Sequence, residues 1–214
     1  MNIQVLFLLK FGSKKNIENL LKKGEIYMNT INWFQNSDKK AVGDIYEGVY
    51  EIENLKGKLT LKVPNNPITL EKASLQLRKH LEGHIGNIYS TYAISNLLLK
   101  RKKVHKVDPR MKNFGSHCLI IKDVKGFTNA IFNKLDELGI SYTHNIVQYR
   151  KLNGKKHQVS LFEKTHILSY QKEHRIIAWT KTNSPLKFEI GSIEKYAEIH
   201  TTEKIIETLK VDRL

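Results

Sequence analysis

Glu173 has the clearest chemical setting in this chain. It lies in Tyr170-Gln171-Lys172-Glu173-His174-Arg175, which leads into the apolar run Ile176-Ile177-Ala178-Trp179. Side chains alternate along a strand, so Gln171, Glu173 and Arg175 are expected on one face and Tyr170, Lys172 and His174 on the other. An amide, a carboxylate and a guanidinium on one surface fit two readings. One is an in-strand charge pair on a wet sheet face. The other is a carboxylate oriented by its neighbours at a strand end in a cleft. A second candidate is Gly43-Asp44-Ile45-Tyr46-Glu47-Gly48, two acids and an aromatic between glycines. It reads either as a solvated turn or as a loop ordered beside a ligand, its carboxylates free to bond ribose hydroxyls or basic side chains. His80 and His84 stand at i, i+4, a spacing that presents two metal ligands on one face if that stretch is helical. No third ligand lies at a matching spacing, so no metal is assigned. P-loop, HExxH, GxSxG and GxGxxG motifs are all absent from the sequence, which weighs against NTPases, zinc peptidases, hydrolase elbows and Rossmann folds.

The elements that must position these groups can be read from hydrophobic period. Val5–Leu9 is a short apolar run expected as a buried strand. Ser13 precedes a helix through Ile17, Leu20 and Leu21 that Gly24 stops. Ile26–Met28 is a short strand and 36–48 a loop. Val49–Val63 alternates as a hairpin turning near Lys56-Gly57, and Pro64-Asn65-Asn66-Pro67 is a turn. The stretch 68–81 fits strand and helix equally. Asn87–Ile94 and Cys118–Ile121 read as strands. Asp123 caps a helix with Phe127, Ile131, Leu135 and Leu138 on one face and Gly139 at its end. Ile146–Tyr149 is expected as a strand, Ser169–Trp179 and Leu186–Ile190 as a strand pair, and Thr202 as the cap of a last helix through Leu209. Strands outnumber scattered helices. The expectation is an α+β fold with mixed or antiparallel sheets, in a single domain over 1–214.

Composition bounds the rest. The 214 residues carry 36 Lys+Arg against 21 Asp+Glu, a net charge of +15, with 40% hydrophobic residues and only 4 prolines. Such a chain can build a core. One cysteine excludes a disulfide framework and a Cys-rich zinc site, and fits a reducing cytoplasm. No apolar run approaches the ~18 residues of a membrane span, so no membrane partner is expected. The excess charge reads in two ways. Abundant Lys, Asn and Ile are what an AT-rich genome encodes, and cations also recruit phosphate backbones. Between Lys100 and Lys112 stand Lys100, Arg101, Lys102, Lys103, Lys106, Arg110 and Lys112, with the single acid Asp108. This cluster is expected as a loop or a frayed helix end, a basic insertion at about 96–114 that contacts nucleic acid.

Several segments also resemble known proteins. Lys10-Phe11-Gly12-Ser13, Gly24-Glu25-Ile26-Tyr27-Met28-Asn29, the Gly43–Gly48 loop, Leu161-Phe162-Glu163-Lys164, Tyr170 to Ile176 and Ile190-Gly191-Ser192 follow the order seen in a bacterial and phage family to which no firm activity attaches. More distantly, the opening strand, polar turn and helix resemble the first NAD-binding motif of ADP-ribosyltransferases, including the DNA-modifying toxin type. That resemblance implies an ADP-ribosyltransferase-like fold with NAD as substrate. It places Lys10, Ser13 and Tyr27 with Ser90 and Thr91 at the NAD site, and Glu173 and Gln171 in a Gln-x-Glu catalytic pair. Lys10 stands where the family carries His or Arg, so the planar fork of arginine is missing. The activity implied is that of a toxin or phage-conflict effector modifying a nucleic acid or protein, with a protein partner or antitoxin. The alternatives are a non-enzymatic nucleic-acid-binding protein in phage–host conflict and a metal-independent nuclease using His and Lys.

Overall fold

The structure is a computed structural model that describes residues 3–37, 43–64, 66–83, 86–101 and 104–212. In chain order the elements are β1 (Val5–Gly12), α1 (Lys14–Lys23), β2 (Glu25–Thr30), α2 (Ile31–Gln35), β3 (Val49–Leu61), β4 (Ile68–His80), β5 (Asn87–Ser95) and α3 (Asn96–Arg101). Next come β6 (Val104–Lys106), a 3-10 turn (Pro109–Phe114), β7 (His117–Ile121), α4 (Val124–Glu137), β8 (Tyr142–Ile146), β9 (Gln148–Arg150), β10 (Lys156–Gln158) and β11 (Glu163–Thr165). A second 3-10 turn (His166–Gln171) leads to β12 (Glu173–Ala178), β13 (Leu186–Glu189), β14 (Ala197–Thr201), α5 (Thr202–Thr208) and β15 (Lys210–Asp212). The chain is α+β, and the pairings of its large sheet are antiparallel.

That sheet explains the apolar runs. Leu8 and Leu9 are both fully buried but face opposite ways. Leu8 packs with Ile17, Leu20, Phe127, Ile131 and Leu135 under α1 and α4. Leu9 packs with Phe11, Met111, Cys118 and Ile205 under α5 and the first 3-10 turn. A strand covered on both faces is apolar throughout rather than alternating. Ser13 caps α1 by accepting from the Asn16 N–H at 3.3 Å, and Gly24 ends it at φ 64°. A Cβ at Gly24 would lie 2.2 Å from the Gly191 carbonyl, so the stop and the close approach both require glycine.

The sheet divides at β5. On one edge β5 pairs with β12 from Asn87 to Tyr92. On the other it pairs with β1 only as far as Leu9↔Tyr92, and with β2 only at Asn29↔Ile88 and Thr30↔Asn87. Beyond Leu9, β1 stays with β7 through Gly12↔His117. Among the described residues, Tyr89, Ser90 and Thr91 therefore have no strand on that edge. The gap between β1 and β2 is where a cavity opens.

Several expectations are corrected. Lys56-Gly57 is not a turn but lies within β3, and the hairpin reverses in the Pro64–Pro67 region. The stretch 68–81 resolves as strand β4. β12 and β13 do not pair with each other; β13 joins β2, and β12 lies between β5 and β8. Thr201, not Thr202, caps α5, and Leu138 is exposed at the end of α4. Ile146 and Tyr149 fall in separate strands. Of the basic segment, Lys100 and Arg101 end α3, in line with a helix end, while Lys106 lies on β6, which pairs with β15, and Arg110 and Lys112 lie in the first 3-10 turn rather than in a loop. Local pairing preferences could not reveal these partners, which come from distant parts of the chain. Among the described residues no helix is long and apolar enough to cross a membrane.

Candidate functional site

At the division of the sheet lies a cavity of about 460 Å³. Its walls come from the end of β1 (Lys10, Phe11, Gly12), the start of α1 (Ser13, Asn16), β2 (Tyr27, Asn29), α2 (Trp33, Phe34), β5 (Tyr89 to Tyr92) and the first 3-10 turn (Met111, Phe114). Lys164, Gln171, Glu173 and Arg175 complete it. All seven residues expected at an NAD site, Lys10, Ser13, Tyr27, Ser90, Thr91, Gln171 and Glu173, line this one cavity.

Lys10 sits where the ladder between β1 and β5 ends. Its Nζ donates to the Ser90 carbonyl at 2.7 Å and lies 4.0 Å from the centroid of the Tyr89 ring. The ammonium thus satisfies a carbonyl that faces the gap left by the strands. Burial lowers its pKa to about 8, partly opposed by the charge of Glu173. Tyr89 is buried, its hydroxyl has no hydrogen-bond partner among the described residues, and burial raises its pKa.

Glu173 opens β12 opposite Tyr92 and is buried. Its Oε1 accepts from Lys164 Nζ at 2.5 Å, and its Oε2 accepts from Arg175 Nε at 2.8 Å and Ser90 Oγ at 2.9 Å. Burial alone would raise its pKa. The charges of Arg175 and Lys164 outweigh that and hold the carboxyl well below the usual range. Its backbone N–H donates to the Tyr149 hydroxyl at 2.9 Å. The reading of a charge pair on a wet sheet face is therefore overturned, because every residue of β12 is buried.

The cations around Glu173 are themselves held. Arg175 donates through Nη1 and Nη2 to both carboxylate oxygens of Glu47, at 2.9 and 2.6 Å, and through Nη1 to the Leu161 carbonyl at 2.6 Å. Lys164 donates to Gln171 Oε1 at 2.9 Å and lies 3.9 Å from Asp44 Oδ2. Asp44 and Glu47 come from the Gly43–Gly48 loop. There Tyr46 N–H donates to Asp44 Oδ1 at 2.9 Å and Glu47 N–H donates to the Asp44 carbonyl at 2.8 Å. This turn aims both carboxylates inward, so the loop bonds basic side chains and is not a solvated turn. Lys164 and Arg175 face Asp44, Glu47 and Glu173, which leaves the buried cluster one formal negative charge.

Gln171 reaches this cluster by a route the alternation did not anticipate. It ends the second 3-10 turn, and Lys172 takes the left-handed conformation at φ 45°, ψ 46° before β12 begins. A non-glycine residue there is strained by roughly 1–2 kcal/mol. The Lys172 carbonyl is fixed by the Ala93 N–H at 2.8 Å. The bend turns Gln171 and Glu173 to the same ammonium.

The remaining expectations divide. Ser13 lines the cavity, but its hydroxyl is engaged in capping α1, and the Thr91 hydroxyl donates to the His174 carbonyl at 3.4 Å. Tyr27 and Trp33 are exposed at the mouth. In the basic segment, Lys102 and Lys103 lie outside the described residues, as do the side chains of Lys100 and Arg101. Lys106 is exposed on β6. Arg110 pairs with Asp108 at 2.8 Å and stacks 3.9 Å over Tyr170, and Lys112 pairs with Glu203 at 3.0 Å. Arg110 and Lys112 share their turn with Met111 and Phe114 but do not line the cavity. His80 ends a strand and contacts Gln35, and His84 lies outside the described residues. Among the described residues no group of three or more His, Cys, Asp or Glu is placed to hold a metal ion. Sequence reasoning missed Lys164, whose short parallel pairing between β9 and β11 carries no local signal. It also missed the aromatic wall of Trp33 and Phe34. No family model, no curated protein and no solved structure matches this chain.

Proposed function

We propose that the chain is an ADP-ribosyltransferase that takes NAD into the cavity at the division of the sheet and modifies a nucleic acid or protein there. The observation that carries this reading is the convergence of the Glu173 carboxylate, the Ser90 hydroxyl and the Lys10 ammonium on one aromatic-lined cavity. Its volume falls within the roughly 300–1,000 Å³ of small-molecule and cofactor pockets. A carboxylate offers about four lone-pair sites. Three on Glu173 are engaged, and the one left on Oε1 can accept from a ribose hydroxyl.

The reaction breaks the bond between nicotinamide and ribose. Nicotinamide leaves neutral with the bonding electrons, positive charge develops on the ribose, and a nucleophile on the target forms the new bond and releases a proton. The fixed Glu173 carboxylate on the cavity wall stabilises that developing cation and needs no reorganisation at the moment of reaction. Lys10 supplies a cation for the pyrophosphate, and Trp33 and Tyr27 supply faces for stacking. The net charge of +15 and the exposed Lys106, Arg110 and Lys112 favour a nucleic acid as the target.

The test is incubation with NAD labelled in its adenylate half, together with DNA, RNA or a protein extract. Label on one of these, with release of free nicotinamide, is the expected result. Absence of both nicotinamide release and saturable NAD binding would remove the reading.

A further inference from the structure

The β3–β4 hairpin carries a surface that the cavity does not use. Both strands run for 13 residues. Among the described residues the one third strand, β10, covers Glu51 to Glu53 near the base. Beyond it the hairpin is a two-stranded arm, an arrangement that is marginal on its own in water. Its register places Leu55 opposite Leu75, Gly57 opposite Ala73, Leu59 opposite Leu70 and Leu61 opposite Ile68. Alternation puts these pairs on one face, with Leu77 beside them. The other face carries Asn54 with Gln76, Lys56 with Ser74 and Thr60 with Thr69. At its base the polar face turns towards the body of the protein, where Tyr46 donates to Gln76 and lies under Arg78. The apolar face therefore points outward, and Leu55, Leu61, Ile68, Leu70, Leu75 and Leu77 are 41–47% exposed.

We propose that this face docks against the same face of a second copy of the chain, in a two-fold dimer. Three observations favour that occupant. The ladder is self-complementary: the small pair Gly57–Ala73 lies near its centre, and a Cβ built on Gly57 would meet nothing within 4 Å. A two-fold axis there brings Leu55 and Leu75 onto the partner's Leu59 and Leu70. The area is adequate: half-exposed aliphatics in this number present roughly 400–500 Å² per copy, large for a lone monomer. With the flanking rims, two copies bury about 1,000 Å², at the lower limit of specific interfaces. Along the arm the charge is placed outward: Lys56 lies on the polar face, away from the partner, Lys79 and Lys156 at the base are paired with Glu51, and sheets pack about 10 Å apart. That separation exceeds the screening length of about 8 Å at physiological salt. A bilayer is a poorer occupant, because the outer edges of both strands would carry unpaired backbone groups into hydrocarbon.

The test is sedimentation velocity on the full chain up to about 200 µM, in low and high salt, with melting curves to establish folding. The expected result is a dimer of micromolar affinity that tightens as salt rises. Leu70→Lys should weaken it by at least about 30-fold, while Thr60→Lys, on the opposite face, leaves it intact. Ala73→Cys supplies an independent readout, because the natural Cys118 is buried. A short bis-maleimide, which spans the about 10 Å between packed sheets, should join two copies through it at the two-fold centre and should not join them through Ser74→Cys. A parent protein that stays monomeric throughout, a folded Leu70→Lys variant that dimerises as tightly, or leucine-dependent binding to anionic vesicles by a monomer would each overturn the proposal.

Discussion

Replacing Glu173 by glutamine keeps the shape of the side chain but removes the charge at the centre of the buried cluster. The amide oxygen can accept from Lys164 or from Arg175 and Ser90, but not from both sides. Its NH2 group then faces a cation that also only donates. Breaking a buried pair by neutralising one partner costs about 3–5 kcal/mol. For a chain of this size each kcal/mol moves the midpoint by roughly 2–4 °C, so the expected drop is about 6–20 °C. An exposed pair would cost at most about 1 kcal/mol. Melting by circular dichroism measures the first quantity. Label transfer from NAD, measured well below the mutant's midpoint, measures the second, and should fall by about 10²–10³. The double change Glu173→Gln with Lys164→Met removes the opposed donor, so its cost should undercut the sum of the single changes by roughly 0.5–3 kcal/mol. A midpoint that moves by only a degree or two, or costs that simply add, would refute the cluster as the element that holds Glu173. A folded mutant that transfers label as fast as its parent would end the catalytic role.

Other outcomes follow from the same structure. Lys10 has its pKa lowered to about 8 from 10.5, so the unfolded chain binds the extra proton between those values. Stability should therefore rise as pH goes from about 8 to 10.5, by up to about 3 kcal/mol. Urea melts across that range would show the rise in the parent and its loss in Lys10→Met. Over the same range NAD affinity should fall in the parent, because the ammonium loses its charge, which titration calorimetry would register. Gly115 lies at φ 146°, and a Cβ there would come within 2.1 Å of the Gly12 backbone. Gly115→Ala should displace the turn carrying Met111 and Phe114 from the end of β1, lowering both midpoint and ligand affinity. Neutralising Lys106 and Lys112 together should reduce the salt slope of nucleic-acid binding by about 2, and an unchanged slope would place the contact elsewhere.

The sequence alone determined the local elements whose causes are local. The cap at Ser13, the stop at Gly24, the doubly buried run around Leu8 and Leu9, and the apolar stripe of α4 are all written in spacing and residue type. The α+β class followed from counting such elements. It also marked Glu173, Arg175 and the Gly43–Gly48 loop as groups worth placing. Only the tertiary structure decided what they are to one another. Arg175 and Glu47 are 128 residues apart in sequence yet share two hydrogen bonds, and no periodicity encodes a contact of that range. The same holds for Lys164, whose inward direction comes from a three-residue strand paired across a loop. β1 and β2 each read as ordinary strands; that both meet one edge of β5 and then part is a matter of register. The cavity is the space left by that parting. It exists because hydrogen bonding holds the strands to β7 and β13 on their far sides while burial of both faces keeps the sheet together.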